Sequence, residues 1–283
     1  MGGVARNHAD ALARLGCNSV FISAVGDDQN GQFFRHNSDK IDISRVKIIG
    51  HKPTCTYLAM NVRGNVRYGI VNAELLNSVT PIMIENNEDV LETSDFILLD
   101  SNLPIPVMAK VLEIAKKHEK QVWLEPTDID KVKKVFDTGL VGAVTATSPN
   151  ANEFLKWAKL CHVSVDPSII DTADGVLELI EKEKSKILLN TSIFVVTLSN
   201  KGSAVVYRNK LGQLEFQSLP PPLQMNKIVS VSGAGDSFNS GVIAGLVHNK
   251  TVVESLQVGQ ECARLTLQTT LAASDAISPQ LLA

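Results

Sequence analysis

The sequence lacks the features that mark several large classes of protein. No apolar run reaches the roughly 18 residues that a membrane span requires, and no signal-peptide pattern is present. Lysine and arginine are scattered and the net charge is −3, so no basic stripe is available for a nucleic-acid backbone. We therefore expect a cytoplasmic protein whose partner is a small molecule and neither a nucleic acid nor a membrane.

Cysteine is scarce, and its spacing excludes two further classes. The chain has four cysteines and no CxxC pair; they are Cys17, Cys55, Cys161 and Cys262. A disulfide framework or a structural zinc site would need closer, paired cysteines. The pattern favours a reducing compartment.

Two common phosphate-binding signatures are also absent. The chain contains no GxxxxGK[ST] sequence, which excludes a P-loop, and "GAGDSF" lacks the third glycine of a dinucleotide-binding fingerprint. Any phosphate chemistry in this protein would need a different architecture.

What the sequence does contain is a regular alternation of strands and helices. Near-continuous apolar strands such as "DFILLD", "QVWLE" and "SIFVVTL" are separated by helical patterns. Buried strands of this kind are typical of an α/β fold with a mainly parallel sheet covered by helices on both faces. Residues 46–71 differ: they form short β-rich runs around a predicted hairpin turn at Arg63-Gly64-Asn65. We predict a small β-sheet there, and a core formed by residues 1–45 and 72–283.

Polar residues follow several of the predicted strands. They are Asp100, Glu125, Asn150, Glu153 and Thr197. In parallel sheets ligands bind beyond the carboxyl ends of the strands, so this placement predicts a small-molecule site. Simpler interpretations stay open, because Asn150 with Glu153 is also a common helix-capping pair and strand-end acids often cap the next segment.

The stretch "SVSGAGDSFNSG" places two glycines and an acid at the start of an apolar helix. The helix should begin at or just before Asp236, so its first-turn amides and the positive end of its dipole offer an anion site. Asp236 could then accept a proton from an attacking hydroxyl. For a GxGD sequence alone, an Asp cap after a glycine turn is the better explanation.

Several segments together resemble the ribokinase-like (PfkB) carbohydrate and nucleoside kinases. "SVSGAGDSFNSG" resembles the C-terminal signature of that family, and "GGVARNHADALARLG" its N-terminal signature. "VGDDQNG", "NANEF" and "VTLSNKG" match further elements in the same order along nearly the whole chain. Within the family, "DSNLP", "VWLEPTD" and "AISPQLL" are most similar to pseudouridine kinases.

The resemblance implies a role for each matching residue. Asp236 would be the base that deprotonates the sugar hydroxyl, and Gly233, Ala234 and Gly235 would form the anion hole. The other implied roles are sugar contacts by Gly3 and Asn7, contacts to ATP by Thr197 and Gly202 with Gly233 and Gly235, and organisation of Mg²⁺ and phosphates, largely through water, by Asn150 and Glu153. Dependence on a monovalent cation such as K⁺ is left open.

The small sheet at residues 46–71 corresponds to the family's lid, which covers the sugar and excludes water. An exposed hairpin edge invites pairing, so we expect a homodimer through the lid. Tyr57 would face the base or sugar, or simply pack within the hairpin, and Lys201 would lie near phosphates or be a solvated loop lysine.

The sequence also departs from the family. It begins at the GG motif, so the family's preceding strand, with its sugar-binding Asp, is expected to be absent. Ser230 stands where relatives carry Asp or Asn toward the ribose. The resulting hypothesis is ATP-dependent phosphorylation of the 5′-hydroxyl of pseudouridine. Its alternatives are another ribokinase-like sugar or nucleoside substrate, or a catalytically impaired form that only binds nucleotide.

Overall fold

A computed structural model describes residues 2–62, 65–224 and 227–283 of the chain. Arg63 and Gly64, at the predicted hairpin turn, lie outside the described residues. Contacts divide the chain into two compact units. The first unit comprises Met1–Met83 and Pro222–Ala283, and the second comprises Ile84–Pro221.

The helices and strands alternate along most of the chain, as the sequence predicts. In chain order they are α1 (Val4–Arg14), β1 (Ser23–Gly26), α2 (Gln29–His36), β2 (Val46–Ile49), β3 (Thr56–Val62), β4 (Asn65–Asn72), α3 (Pro81–Glu85), α4 (Glu88–Thr93), β5 (Phe96–Asp100), α5 (Ile105–Lys117), β6 (Gln121–Glu125), α6 (Val132–Asp137), β7 (Ala146–Thr147), α7 (Ala151–Leu160), α8 (Ala173–Lys182), α9 (Lys184–Ile187), β8 (Ile193–Thr197), β9 (Ser203–Arg208), β10 (Leu214–Leu219), α10 (Ala234–Val247) and α11 (Val252–Leu267).

Helices α1, α10 and α11 pack together to form the core of the first unit. A buried apolar cluster joins them to the segment near the C-terminus, and its members are Ala11, Leu15, Ala244, Val258, Cys262, Ala273 and Ile277. Gly16 follows α1 in the left-handed region with φ 85°, as expected for a helix that ends on a glycine. The apolar residues Ala11 and Leu15 of this segment therefore face the core of the first unit.

Small residues bring α10 and α11 unusually close to each other. A Cβ added at Gly241 would lie 2.7 Å from the Cα of Gly259, and one added at Gly245 would lie 2.6 Å from the Ser255 hydroxyl. Neither glycine can gain a side chain unless one of the helices moves. The position of α10 is thus fixed by main-chain contact.

Two small sheets complete the first unit. Strands β1 and β2 are parallel, with Ser23 opposite Val46. Strands β3 and β4 form an antiparallel pair in which Leu58 faces Ile70 and Met60 faces Tyr68. The predicted lid range of residues 46–71 therefore includes β2, which pairs with β1, and most of a separate two-stranded sheet.

The second unit contains a six-stranded sheet in the order β10-β9-β8-β7-β6-β5. Strands β5 to β8 are parallel, whereas β9 and β10 are antiparallel to their neighbours. Consecutive residues of β6 and β8 are buried, including Val122, Trp123 and Leu124. Because neighbouring side chains on a strand point to opposite faces, both faces of these strands are covered. Helices α5, α7 and α8 pack against the sheet.

Two apolar runs, at residues 19–26 and 143–147, each predict a full strand from the sequence, but only part of each is paired. The run "SVFISAVG" forms a ladder only at its end, as β1, and "AVTAT" contributes only the two residues of β7. Strand β10 was not predicted from the sequence. Within the described residues, no helix has both the length and the apolarity needed to cross a bilayer.

Candidate active site

Helix α10 begins without a side-chain cap. Its N-cap residue is Gly233, which has φ 79° and makes no capping hydrogen bond through a side chain. A Cβ at this position would lie 1.9 Å from the carbonyl oxygen of Ala272. Both the left-handed backbone and the close contact therefore require glycine.

The first turn of α10 leaves amides available. The helical ladder begins when the Ser237 amide donates to the Gly233 carbonyl, and the Ala234 amide makes a long contact of 3.4 Å to Val231. Among the described residues, none accepts a hydrogen bond from the amides of Gly235 or Asp236. A Cβ added at Gly235 would meet nothing within 4 Å. This glycine is not required by packing, and it leaves open space in front of the positive end of the helix dipole.

Asp236 lies in that first turn and contacts α1. The Nδ2 of Asn7 donates to the Oδ2 of Asp236 at 2.7 Å, across 229 residues of sequence. A carboxylate accepts hydrogen bonds and donates none, so this contact fixes the orientation of the Asn7 amide. The N-termini of α1 and α10 therefore open onto the same small region.

The other end of the Asn7 amide is unusual. Its Oδ1 is buried and has no hydrogen-bond partner among the described residues. A buried amide oxygen without a donor costs free energy, so this atom is suited to accept a hydrogen bond from a bound hydroxyl group. Gly3, which caps α1 with φ 107°, is exposed at the same helix start.

Asn150 and Glu153 in the second unit form a complete capping box. The Oδ1 of Asn150 accepts from the amides of Asn152 and Glu153, and the Oε2 of Glu153 accepts from the Asn150 amide. The capping interpretation of this pair is therefore correct as far as it goes. It occupies the amide oxygen of Asn150, and since a side-chain hydrogen bond from Asn150 also lowers the pKa of Glu153, one N–H of the amide faces that carboxyl and the other is left for a further partner.

Glu153 is nearly fully buried, at 3% exposure. Burial raises the pKa of its carboxyl, and the negative charge of Asp128 raises this pKa further, whereas hydrogen bonds from Asn150 lower it. Carboxylate and amide groups are the ligands and water partners that Mg²⁺ prefers. The described residues contain no cluster of three or more His, Cys, Asp or Glu that could bind a metal directly. The donor set fits Mg²⁺ held through water and phosphate.

Thr197 lies next to the α7 cap within the second unit, and Gly202 follows in the loop after β8. Thr197 ends β8, its amide donates to the Pro149 carbonyl at 3.0 Å, and it forms a parallel bridge with Asn150. Gly202 has φ 87°, and a Cβ there would lie 2.0 Å from the Leu219 carbonyl oxygen. Packing alone explains this glycine, whether or not it also contacts a nucleotide.

The remaining polar strand ends make local contacts. Asp100 lies opposite Glu125 on the neighbouring strand, and each accepts a hydrogen bond from an amide two residues later, of Asn102 and Thr127 respectively. Each acid therefore caps its own loop, and the second carboxylate oxygen of Glu125 also accepts from the Ser148 hydroxyl at 3.4 Å. Lys201 pairs with the exposed Asp171, as a solvated loop lysine would.

Sequence reasoning did not single out two side chains next to Asp236. They are His8 on α1 and Ser240 on α10, whose Nδ1 and Oγ atoms lie 3.0 Å apart. A signal was available, because His8 is four residues from each of two apolar residues of α1, Val4 and Leu12, and so lies on the same side of the helix. A polar ring on an inward face calls for a buried partner.

The structure thus gathers the candidate residues into two groups. Gly3, Asn7 and the Gly233–Asp236 stretch belong to the first unit, and Asn150, Glu153, Thr197 and Gly202 belong to the second. Within each group the members are joined by hydrogen bonds or by sequence.

Comparison with known proteins identifies the class to which this fold and these helix termini belong. The model of the pfkB family carbohydrate kinases matches residues 1–279. The pseudouridine kinase of Escherichia coli (strain K12) is 24% identical over 272 residues, covering 94% of this chain and 79% of the relative. The ribokinase of Haemophilus influenzae is 23% identical over 269 residues, with 94% and 80% covered.

A solved structure gives the same result for the fold. Arabidopsis thaliana ribokinase, complexed with ribose and ATP, has a TM-score of 0.76 at 21% identity, covering 99% of this chain and 87% of its own. This confirms the ribokinase-like α/β fold. The chain belongs to the pfkB family of carbohydrate kinases. Members of this family are phosphotransferases with an alcohol group as acceptor, so the chain is a sugar or nucleoside kinase by family.

Proposed function

We propose that this protein transfers the γ-phosphoryl group of ATP to the ribose 5′-hydroxyl of pseudouridine. The observation that carries the proposal is the pairing of Asp236 with Asn7 at the uncapped start of α10. It supplies a base, a polar group for the acceptor and free amides for a phosphate in one place. The pseudouridine kinases of Escherichia coli and Arabidopsis thaliana among the relatives support this acceptor.

Asp236 takes the proton in this scheme. The acceptor hydroxyl gives its proton to the carboxylate as its oxygen forms a bond to the γ-phosphorus, and the bond from that phosphorus to the β-phosphate bridging oxygen breaks to release ADP. Because the Asp236 side chain is 15% exposed, it is accessible to an acceptor while remaining held by Asn7.

The amides of Gly233, Ala234 and Gly235 would stabilise the charge on the phosphoryl group in flight. The open space at Gly235 supports this role, since a phosphate oxygen can approach the amide without meeting a Cβ. Donors fixed in a helix start need no reorganisation when charge develops.

The acceptor would be bound by Gly3 and Asn7. The buried Oδ1 of Asn7 has no donor among the described residues, and a ribose hydroxyl would satisfy it. An exposed glycine at the start of α1 adds a main-chain contact without steric hindrance.

The nucleotide side would use Asn150, Glu153, Thr197 and Gly202. Asn150 has one N–H to spare for a phosphate oxygen, and Glu153 would hold Mg²⁺ through water. When bound, Mg²⁺ neutralises phosphate charge. We place the protein in the cytoplasm, because its scattered, unpaired cysteines suit a reducing compartment.

The test is a panel of acceptors with Mg·ATP: pseudouridine, ribose, adenosine and fructose, with products identified by mass spectrometry. We expect pseudouridine 5′-phosphate to form with the highest kcat/KM. Preference for ribose would instead support the alternative that the ribokinases among the relatives suggest. ATP binding without transfer to any acceptor would favour a catalytically impaired, nucleotide-binding form.

We also propose a homodimer through the lid, formed by residues 46–71. Leu58, Met60, Tyr68 and Ile70 share one face of the β3–β4 sheet and are each more than half exposed. Such a patch on a two-stranded sheet is suited to a second copy. Tyr57, for its part, lies across Gly69. In sedimentation experiments we expect wild type to be a dimer and Leu58→Glu a monomer; a monomeric wild type would refute this.

A further inference from the structure

A buried histidine faces the candidate base from the neighbouring helix. His8 is 1% exposed. Its Nε2 lies 3.7 Å from the Oδ1 of Asp236, and its Nδ1 lies 3.0 Å from the Oγ of Ser240. A histidine ring buried between two helices is held there by such contacts, because burial without polar partners is costly.

The position of the single Ser240 proton decides what the ring presents to Asp236. The Ser240 hydroxyl lies 2.8 Å from the main-chain oxygen of Asp236 and could donate to it. The Nδ1 of His8 would then carry the ring proton, and the Nε2 lone pair would face a carboxylate. If Ser240 instead donates to Nδ1, the Nε2–H points at Asp236 Oδ1.

The second arrangement is the more favourable one. Asp236 and Ser240 are four residues apart in α10, so the main-chain oxygen already accepts the helical amide bond and does not need the hydroxyl. A lone pair directed at a carboxylate is repelled, whereas an N–H is attracted. The hydroxyl of Ser240 therefore selects the tautomer.

We infer that His8 is a positioning residue for Asp236, presenting Nε2–H to Oδ1 while Ser240 fixes its tautomer. The inference rests on the proposed role of Asp236 as the base. Asn7 donates a hydrogen bond to Oδ2 at 2.7 Å, whereas the His8 Nε2 faces Oδ1 at 3.7 Å, which is longer than a hydrogen bond, so the two α1 side chains together face both oxygens of one carboxylate. Its plane is thereby set relative to the acceptor.

A pH effect follows from this arrangement. Asp236 is the titratable group that faces the ring from α10; on α1 itself the charged neighbours are Arg6 and Asp10, which pair with each other at 3.2 Å. An N–H group that faces a carboxylate favours its ionised form even without a hydrogen bond. Removing the donor should therefore move the acid limb of the kcat/KM profile to higher pH.

The first experiment tests the contact without needing turnover. Long-range ¹H–¹⁵N spectra of the full chain report histidine tautomers, and His8→Gln identifies the His8 signal. We expect the Nε2–H tautomer in wild type, and a His8 titration midpoint that falls in Asp236→Asn, because the carboxylate favours the charged ring. An Nδ1–H tautomer, or an unchanged midpoint, would overturn the inference.

The second experiment measures phosphoryl transfer from Mg·ATP to pseudouridine, or to ribose if ribose is preferred. His8→Leu should lower kcat by about tenfold, with the KM for ATP little changed, and move the acid limb upward. His8→Gln, whose amide N–H reaches a similar position, should restore both. Ser240→Ala should shift the limb in the same direction by less.

The matched control is Ser237→Ala, because Ser237 is an equally buried hydroxyl of α10 that bonds to Thr266 instead. We expect it to leave the limb in place. An unmoved limb in His8→Leu, or equal shifts in the two serine variants, would contradict the positioning role. If His8→Leu does not fold, His8→Gln and Ser240→Ala carry the test. A wild type that transfers no phosphate would refute the proposed function, whereas the spectra would still decide the His8 contact.

Discussion

The starts of α10 and α7 resemble each other in sequence pattern but differ in their hydrogen bonds. Each pairs a turn with an acid in the first helical turn, Asp236 in α10 and Glu153 in α7. In α7 the side chains satisfy the helix's own amides through a capping box. In α10 no side chain does so, and the acid bonds to another helix. A helix start left without a cap has donors to offer a ligand.

A third helix start supplies the reference for this comparison. Helix α11 begins with Thr251 and Glu254, which form a capping box like that of α7. This box has no proposed role in ligand binding, so substitutions in it show how much capping alone contributes to stability. The predictions below use it to separate structural capping from ligand binding.

The largest effect is expected from Asp236→Asn. Loss of a general base typically costs about 10²–10⁴-fold in rate, and the amide leaves the shape of the side chain unchanged. We expect kcat for phosphoryl transfer to fall in that range while thermal unfolding stays near that of wild type. A variant with full activity would refute the role of Asp236 and with it the contrast between the two helix starts.

The two glycines of α10 should respond in opposite ways. Gly233→Ala places a Cβ against the Ala272 carbonyl at a positive φ, so we expect a loss of about 2–6 kcal/mol in the free energy of unfolding. Gly235→Ala meets nothing and should leave stability unchanged or raise it by up to about 1 kcal/mol.

Activity should not follow stability: the stable variant Gly235→Ala is the one expected to lose activity through a direct effect on phosphate binding. We expect Gly235→Ala to lower kcat/KM by about tenfold or more, because its methyl group fills the space in front of the amides. Chemical denaturation and initial-rate kinetics on the same preparations make the comparison. Full activity in Gly235→Ala would refute the proposal that the phosphate binds at the start of α10.

The capping boxes allow a smaller but sharper test. Asn150→Ala and Thr251→Ala should each cost about 1 kcal/mol of stability, as cap removals typically do. Only Asn150→Ala should also raise the KM for Mg·ATP, by several-fold, because only that side chain has a proposed phosphate contact. Equal KM values in the two variants would show that Asn150 is a cap and nothing more.

The smallest effect concerns the protonation of Glu153. Because burial raises the pKa of this carboxyl, the folded state binds its proton more tightly than the unfolded state does. Wild-type stability should therefore fall as the pH rises from the carboxyl's ordinary pKa through the raised one. Glu153→Gln cannot ionise, and its side-chain oxygen can still accept from the Asn150 amide.

The advantage of Glu153→Gln over wild type in thermal unfolding should accordingly grow with pH across that window, while its requirement for Mg²⁺ rises. Glu254→Gln, the equivalent change in the α11 box, should leave the Mg²⁺ requirement unaltered. A Glu153→Gln variant with an unaltered Mg²⁺ requirement would contradict the metal role.

Much of the fold could be predicted because it depends on local patterns. Apolar runs located β5, β6 and β8, and the glycine-acid stretch predicted that α10 begins at or just before Asp236; the helix begins two residues earlier, at Ala234. Strand β10 could not be predicted in this way, because "LEFQSL" is only partly apolar and the strand is stabilised by pairing with β9. The run "AVTAT" is apolar enough for a strand, but its ladder begins only at Ala146.

The candidate site was less accessible to sequence reasoning. Spacing cannot reveal that Asn7 meets Asp236, because the two are joined only when α1 packs on α10. The letters of "NANEF" are the same whether Asn150 and Glu153 only cap a helix or also organise phosphates. His8 was missed for a different reason: its neighbour Asn7 carried the family resemblance, and the histidine did not.

The contact of Gly241 with Gly259 affects the orientation of Asp236, the proposed base. Gly241 lies five residues beyond Asp236, about 7.5 Å along the helix axis. The main chains of α10 and α11 are in contact at that point, so an added side chain would push the two helices apart and change the tilt of α10. The Asp236 carboxylate, near the start of α10, would then move away from the proposed acceptor hydroxyl. Residues that never touch a ligand thus determine where the proton is taken.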